Sequence, residues 1–290
     1  MAVGVVDVGS NTVRLQVMRG SELLLSRREM MRLGADVERA GHIPPAKLAE
    51  VAGVVADFAA SARAAGAAQL EILITSPGRQ ADNGEELLAA LAEAGRCEAR
   101  VLSAVEEGRL AFLGALETVV PPARRTVAVV DVGGGSAQVV VGSKREGARW
   151  VRSIDLGSQR LASRSLPGDP PGEPAIAAAF TEVERLLVDF APPRPRAAFV
   201  VGGSARALKR VVGNRLDADT LSEALGILGS TTGAELVEHY GVDPERVRTL
   251  GAGAVILTAL QRRLGVPLKV VRGGVREGAL SELSRRRHAA

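Results

Sequence analysis

The chain has 290 residues, of which 46% are hydrophobic but 2% aromatic, and 37 Lys+Arg against 33 Asp+Glu leave a net charge of +4. That length suits two domains of roughly 120–170 residues, packed by Val, Leu, Ile and Ala. Scarce aromatic rings disfavour a base-stacking nucleic-acid binder, and the single cysteine, Cys97, excludes an intramolecular disulfide or a cysteine-based metal cluster.

A moderately cationic surface suits an anionic substrate. No apolar run approaches the ~18–20 residues of a membrane span, and no basic and apolar leader precedes the first strand, so a soluble cytoplasmic protein without membrane partners is expected.

The chain opens on an apolar strand, Val5-Val6-Asp7-Val8. It passes through the turn Gly9-Ser10-Asn11-Thr12 into an alternating strand with Val13, Leu15 and Val17. Glu22 to Ser26 supplies a third strand. Pro44 to Ala65 reads as a helix with Leu48, Val51, Val55, Phe58 and Ala59 on its apolar face. Leu70 to Ile74 is a strand ending at Thr75-Ser76-Pro77-Gly78-Arg79, Glu85 to Ala94 a helix, Glu98 to Leu102 a strand and Val105 to Leu116 a helix. Pro121-Pro122 and Arg124-Arg125 mark a junction that divides the chain into residues 1–121 and 122–290.

The second half repeats the opening. Val129-Val130-Asp131-Val132 and Gly133-Gly134-Gly135-Ser136 copy the first hairpin, with Ala137, Val139 and Val141 on the returning strand. Strands continue to about Leu156, followed by a loop from Pro167 to Pro174, a helix from Ala175 to Asp189 and a strand from Ala197 to Val201. Gly202-Gly203-Ser204 opens one helix and Gly273-Gly274 precedes another, so this half has two strand–Gly-Gly–helix joints that could set helix N-termini against a ligand. Arg248 to Leu264 is a small-residue-rich helix, and Arg285 to Ala290 a basic tail.

A strand delivering an acid into a turn of glycines and hydroxyls suits phosphate: glycine backbone approaches oxygens closely, hydroxyls donate, and carboxylates hold a divalent cation or orient water. One such Asp is equally well explained as the start of a turn, and the helix macrodipole alone accounts for acids such as Glu106 and Glu107 near an N-terminus. Duplication of the hairpin favours function. His42, His239 and His288 have no metal-ligand spacing, and P-loop, dinucleotide and zinc motifs are missing.

Asp7 to Thr12, Thr75 to Arg79, Asp131 to Ser136, Ser103-Ala104-Val105-Glu106-Glu107-Gly108-Arg109 and Gly273-Gly274-Val275-Arg276-Glu277-Gly278 follow the order and spacing of a known family. From about residue 3 to 284 the chain resembles the exopolyphosphatase/guanosine pentaphosphate phosphohydrolase (Ppx/GppA) family, in its short two-domain form. The resemblance implies an α/β fold of two ribonuclease-H-like domains of the actin-like, sugar-kinase and Hsp70 ATPase superfold, with an interdomain cleft. It implies phosphate binding by Asp7, Gly9, Ser10, Asn11 and Thr12, by Gly133, Gly134, Gly135 and Ser136, and by Arg79. Glu107, with Glu106 beside it, takes the place of the catalytic carboxylate that deprotonates water. Asp7 and Asp131 are the implied ligands of Mg2+ or Mn2+, and Gly203 and Ser204 shape a nucleotide or terminal-phosphate pocket.

The implied reaction removes terminal orthophosphate from inorganic polyphosphate. Hydrolysis of guanosine pentaphosphate to the tetraphosphate stays open, as do a slowly hydrolysing polyphosphate or nucleotide sensor and an ATP-dependent phosphotransferase on the same superfold. A homodimer is implied by the resemblance alone. The chain departs from the family pattern at Gln138, where Glu is usual, at Ala104 and Gly108 in the acidic element, at Pro77-Gly78 before Arg79, and at Arg272, where an acid commonly precedes the Gly-Gly pair.

Overall fold

The computed structural model describes residues 1–119 and 121–288. Apolar alternation builds β1 (Ala2–Val8), β2 (Thr12–Arg19) and β3 (Glu22–Met30) as an antiparallel set. The parallel strands β4 (Ala67–Ile74) and β5 (Glu98–Val101) extend it to the order β3-β2-β1-β4-β5. Around this sheet lie α1 (Leu33–Ala40), α2 (Pro45–Ala64), α3 (Ser76–Gln80), α4 (Gly84–Gly95) and the start of α5 (Ala104–Thr118). Leu15 and Ile72 pack with Val51, Val55 and Phe58 of α2 and with Leu87 and Leu91 of α4. Each such side chain contributes about 1.5–3 kcal/mol by burial.

The second sheet contains β6 (Val127–Val132), β7 (Ala137–Ser143), β8 (Gly147–Ile154), β9 (Ala197–Val201), β10 (Arg215–Leu216) and β11 (Leu268–Val270) in the order β10-β11-β9-β6-β7-β8. Traced from β8, the series β8-β7-β6-β9-β11 repeats the first sheet strand for strand, with β10 added at the edge. The ribonuclease-H-like layout expected of an actin-like protein is therefore present twice. Its helices are α6 (Ser158–Ser165), α7 (Gly172–Leu186), α8 (Gly203–Val212), α9 (Ala218–Ser230), α10 (Gly233–Tyr240) and α11 (Val247–Leu264); α12 (Val275–His288) closes the chain. Every residue of α11 from Leu250 to Gln261 is buried, as expected of a central helix surrounded by others.

The compact units are Met1–Leu110 with the segment from Val275 onward, and Ala111–Gly274. This differs from the expected division at 121/122 in two ways. First, α12 packs with β1: Gly278 lies so close to the Leu110 carbonyl of α5 that any Cβ would collide, and Arg109 makes a two-pronged ion pair with Glu282, one arm 3.1 Å. Second, Phe112, Ala115 and Leu116 in the rest of α5 pack with Val127, Val129, Val140 and Phe199 of the second sheet. Pro121-Pro122 is thus a loop inside the second unit, and Gly273-Gly274 is the link back to the first. The expected tail at Arg285 is helical; Ala289 and Ala290 lie outside the described residues. Among the described residues no helix is long and apolar enough to cross a membrane.

Candidate active site

In the first unit, β1, β4 and β5 are parallel and in step at their C-terminal ends, Val8 opposite Ile74 and Ile74 opposite Val101. The segments leaving those ends are therefore neighbours, which is where open α/β sheets bind ligands. Thr75 N–H donates to the Val8 carbonyl at 3.0 Å, Leu102 N–H to Ile74 at 2.8 Å, and the hydroxyls of Ser10 and Ser76 meet at 2.7 Å. Thus the first loop, the Thr75–Arg79 element and the acidic element form one hydrogen-bonded edge.

On that edge Arg79 and Glu107 come together. Arg79 Nη2 lies 2.7 Å from Glu107 Oε2, and Nη1 donates to the Leu102 carbonyl at 2.7 Å. The side chains are 20% and 9% exposed, so solvent screens the pair weakly.

Glu106 does something different. Its carboxylate accepts from Ser103 N–H at 3.0 Å and Ser103 Oγ at 2.8 Å, while its own N–H donates to Ser103 Oγ at 3.2 Å. Ser103 and Glu106 are a reciprocal capping box for α5. Those Ser103 bonds, helped by Arg100 and Arg109, hold the Glu106 carboxyl below its usual range.

The two phosphate-type loops are built alike. Gly9 N–H donates to the Thr12 carbonyl at 3.0 Å, and Gly133 N–H to that of Ser136 at 3.0 Å. In each, a helix start takes the loop's carbonyls. Gly34 N–H in α1 donates to Ser10 (2.8 Å), while Met31 and Arg32 donate to Asn11 (2.9 Å each). At α6, Ser158 N–H donates to Gly133 (2.9 Å), and Gln159 and Arg160 to Gly134 (2.9 and 3.2 Å). Pairing these oxygens with helix N–H groups removes negative ends that would repel a bound anion. Neither α1 nor α6 was anticipated from the sequence; Gly157, packed too tightly on Gly134 for any side chain, belongs to the same support. None of Gly9, Gly133, Gly134 or Gly135 has a left-handed φ, so backbone conformation is not what demands glycine there.

Asp7 is paired in register with Arg14 on β2. Burial raises its carboxyl above the usual range; Arg276 of α12 and Arg14 pull it down, and Glu277 adds to the rise. In the second unit Asp131 lies against Gly202, where a Cβ would come within 2.6 Å of Oδ1. Gly203 is packed under the Arg246 guanidinium, and Ser204 is buried against Gly253 of α11. Thr12 accepts from Arg14 Nε at 3.2 Å. Among the described residues no three His, Cys, Asp or Glu side chains converge as a metal site. Arg276 and the loop-supporting helix starts are the residues that motif reading alone left without a task.

The family model described as the Ppx/GppA phosphatase family matches residues 13–287. Exopolyphosphatase 1 of Mycobacterium tuberculosis is 28% identical over 302 aligned residues, covering 97% of this chain and 87% of the relative. Exopolyphosphatase 2 of the same organism is 27% identical, covering 90% of each chain. A solved exopolyphosphatase-like protein superposes with a TM-score of 0.87 at 25% identity over 99% of each chain. The Ppx/GppA family member of Aquifex aeolicus, at 24% identity, shares the fold with a TM-score of 0.83 over 99% of this chain and 98% of its own. With the family match spanning almost its whole length, the chain belongs to the Ppx/GppA phosphatase family.

Proposed function

We propose that this protein is an exopolyphosphatase, hydrolysing the terminal phosphate of inorganic polyphosphate and releasing orthophosphate. The Arg79–Glu107 pair carries the reading: it sets a carboxylate base and a phosphate-type cation 2.7 Å apart, at the edge of the sheet that also bears the first loop. The exopolyphosphatases it matches over nearly their full lengths support the substrate class.

In this reading Glu107 accepts the proton of a water that attacks the terminal phosphorus in line, while the bond to the bridging oxygen breaks. The departing chain leaves as a phosphate anion and needs charge neutralisation. Arg79 supplies it as a planar fork matched to two phosphoryl oxygens. The loop at Gly9–Thr12 on the same edge adds donors to other phosphate oxygens, and Glu106 positions Glu107 by capping the helix that carries both. Asp7, on the strand that feeds the first loop, suits Mg2+, an ion that takes one or two carboxylates, keeps water and shares substrate phosphates; bound there it would neutralise phosphoryl charge. The reading also takes the protein as cytoplasmic and dimeric; sedimentation tests the second point.

The test is orthophosphate release from purified protein with Mg2+, from polyphosphates of several lengths and from guanosine pentaphosphate, with Glu107→Gln alongside. Release from polyphosphate that disappears in the variant is the expected result. Faster release from guanosine pentaphosphate would move the assignment to that substrate, and binding without release would make the protein a sensor.

A further inference from the structure

We infer that Arg276 is a further polyphosphate-binding residue, a second guanidinium that takes phosphoryl oxygens at the first loop. The inference deepens the proposed function and rests on its reading of that loop as a phosphate site. Arg276 is the second residue of α12, and its side chain is 18% exposed. Its Nε is buried with no hydrogen-bond partner. The ion pair it makes joins Nη2 to Oε1 of the neighbouring Glu277 at 3.6 Å, too long for a hydrogen bond. Among the described residues this guanidinium therefore forms no hydrogen bond.

Arginine has five N–H donors and cannot shed its charge, so a guanidinium withdrawn from water is stable where anions take those donors. Neither the helix nor the framework accounts for one at this position. A cation in the first turn opposes the macrodipole, which favours acids there. The return of α12 is secured further along, by Gly278 against the Leu110 carbonyl and by Glu282 on Arg109. What Arg276 faces is the loop end of β1: α12 packs on that strand, and Arg276 is the cation that draws the Asp7 carboxyl down most, two residues before Gly9. A phosphoryl group at the first loop brings the missing acceptors, since pairs of its oxygens match the planar fork. Arg79 already serves Glu107 and the Leu102 carbonyl, so a second arginine beside the loop adds charge neutralisation that the first does not give alone. The rival reading is that Arg276 only offsets the charge of Asp7; it predicts no effect of Arg276 once that charge is removed.

The experiment measures the dissociation constant for inorganic tripolyphosphate by calorimetry, in EDTA so that no metal contributes. It uses the full chain as wild type, R276Q, R276K, D7N and the D7N/R276Q double variant, with melting curves to verify folding. R19Q controls for the loss of one positive charge, because Arg19 pairs with Glu22 in solvent at the far end of β2 from the first loop. Loss of hydrogen bonds to a charged group should weaken binding about tenfold or more in R276Q. The same factor should separate D7N/R276Q from D7N. R276K keeps the charge without the fork and should lose about threefold or more, while R19Q should stay within about twofold of wild type. Wild-type-like binding by R276Q overturns the inference, and so does a loss that disappears in the D7N background, which would mean that Arg276 serves Asp7 alone. A loss in R19Q as large as in R276Q would mean a general field, and full binding by R276K a point charge; either overturns the inference too. R276K decides the matter should R276Q not fold. A wild type that does not bind tripolyphosphate overturns the inference, whereas one that binds but releases no phosphate with Mg2+ defeats the proposed function and leaves this inference standing.

Discussion

Arg79 and Glu107 are bound to each other, Nη2 to Oε2 at 2.7 Å, although 28 positions separate them in the chain. The sequence motifs assign them separate tasks, one to hold phosphate and one to activate water. Parallel pairing of β4 and β5 joins them, because each residue follows the C-terminal end of its strand within a few positions. The guanidinium is further fixed by the Leu102 carbonyl, so the edge of the sheet orients the cation and the cation orients the Glu107 carboxylate.

Removing the cation should therefore damage both stability and chemistry. Arg79→Ala leaves a largely buried carboxylate without its counter-ion, a loss of about 3 kcal/mol in urea unfolding. Adding Glu107→Gln should recover much of that loss, since the charge left unpaired is gone. Arg79→Lys keeps the charge but not the fork, and should stay folded with kcat/KM for polyphosphate reduced more than roughly tenfold. A double variant no more stable than R79A would show that the pair does not couple.

Glu106 and Glu107 are adjacent but should separate cleanly in experiment. Glu107→Gln should lower kcat by about 10^2–10^4-fold with binding retained. Glu106→Gln should chiefly loosen the start of α5, as should Ser103→Ala, which costs about 1 kcal/mol as the loss of a cap. Ser103 holds Glu106, and Arg109 holds Glu282, below the ordinary carboxyl value of 4.5. A lowered folded-state value means stability present above the unfolded value and lost as pH falls through the folded one. Acid titration of the melting temperature below about pH 4.5 should thus be shallower in E106Q and E282Q than in the wild type.

The hairpins were legible because β1 and β6 combine an apolar run with an acid and a Gly/hydroxyl turn, a pattern local in sequence. The helices that clamp those turns were not. In α1 just Leu33 and Gly34 are buried, and in α6 the buried set Ser158, Gln159, Leu161 and Ala162 is too short and polar to show a period. For α9 and α10 the signals were present and unread: Asp217 with Thr220 and Thr232 with Glu235 are capping boxes. The placement of α12 was beyond any local pattern, since only the fold brings the last helix back to the first strand. Glu106 shows the same limit at the site, where a pair of acids did not reveal which one is spent on the helix cap.

Gly278 tests the return of α12. A methyl group there meets the Leu110 carbonyl, backbone that has no rotamer to yield. Gly278→Ala should destabilise by about 1–3 kcal/mol, the range for forced overpacking. Because α5 carries Glu107 and Arg276 belongs to α12, polyphosphate hydrolysis should fall along with the melting temperature. An unchanged melting temperature would mean that α12 does not pack on α5 as described.

Asp7 should show the opposite trade. Burial raises its carboxyl more than Arg276 and Arg14 together lower it, so the ionised form is less favourable in the folded protein than in the unfolded chain. For an acid with a raised folded-state value, the stabilising contribution is complete below the unfolded value of about 3.9 and is lost as pH rises through the folded one. At neutral pH, above the unfolded value, the wild type therefore carries a penalty for this group. Asp7→Asn removes the charge and nearly preserves the shape; Arg276 and Arg14 lose a partner, but the net direction of the shift says that relief from desolvation outweighs that loss. The variant should melt a few degrees higher than the wild type near pH 7, with the difference shrinking toward acid, while releasing no phosphate from polyphosphate. A gain in stability coupled to lost activity would mark Asp7 as a residue retained for chemistry at the expense of the fold. A lower melting temperature at neutral pH would mean that the Arg276 and Arg14 contacts prevail, making Asp7 part of the framework that ties α12 to β1.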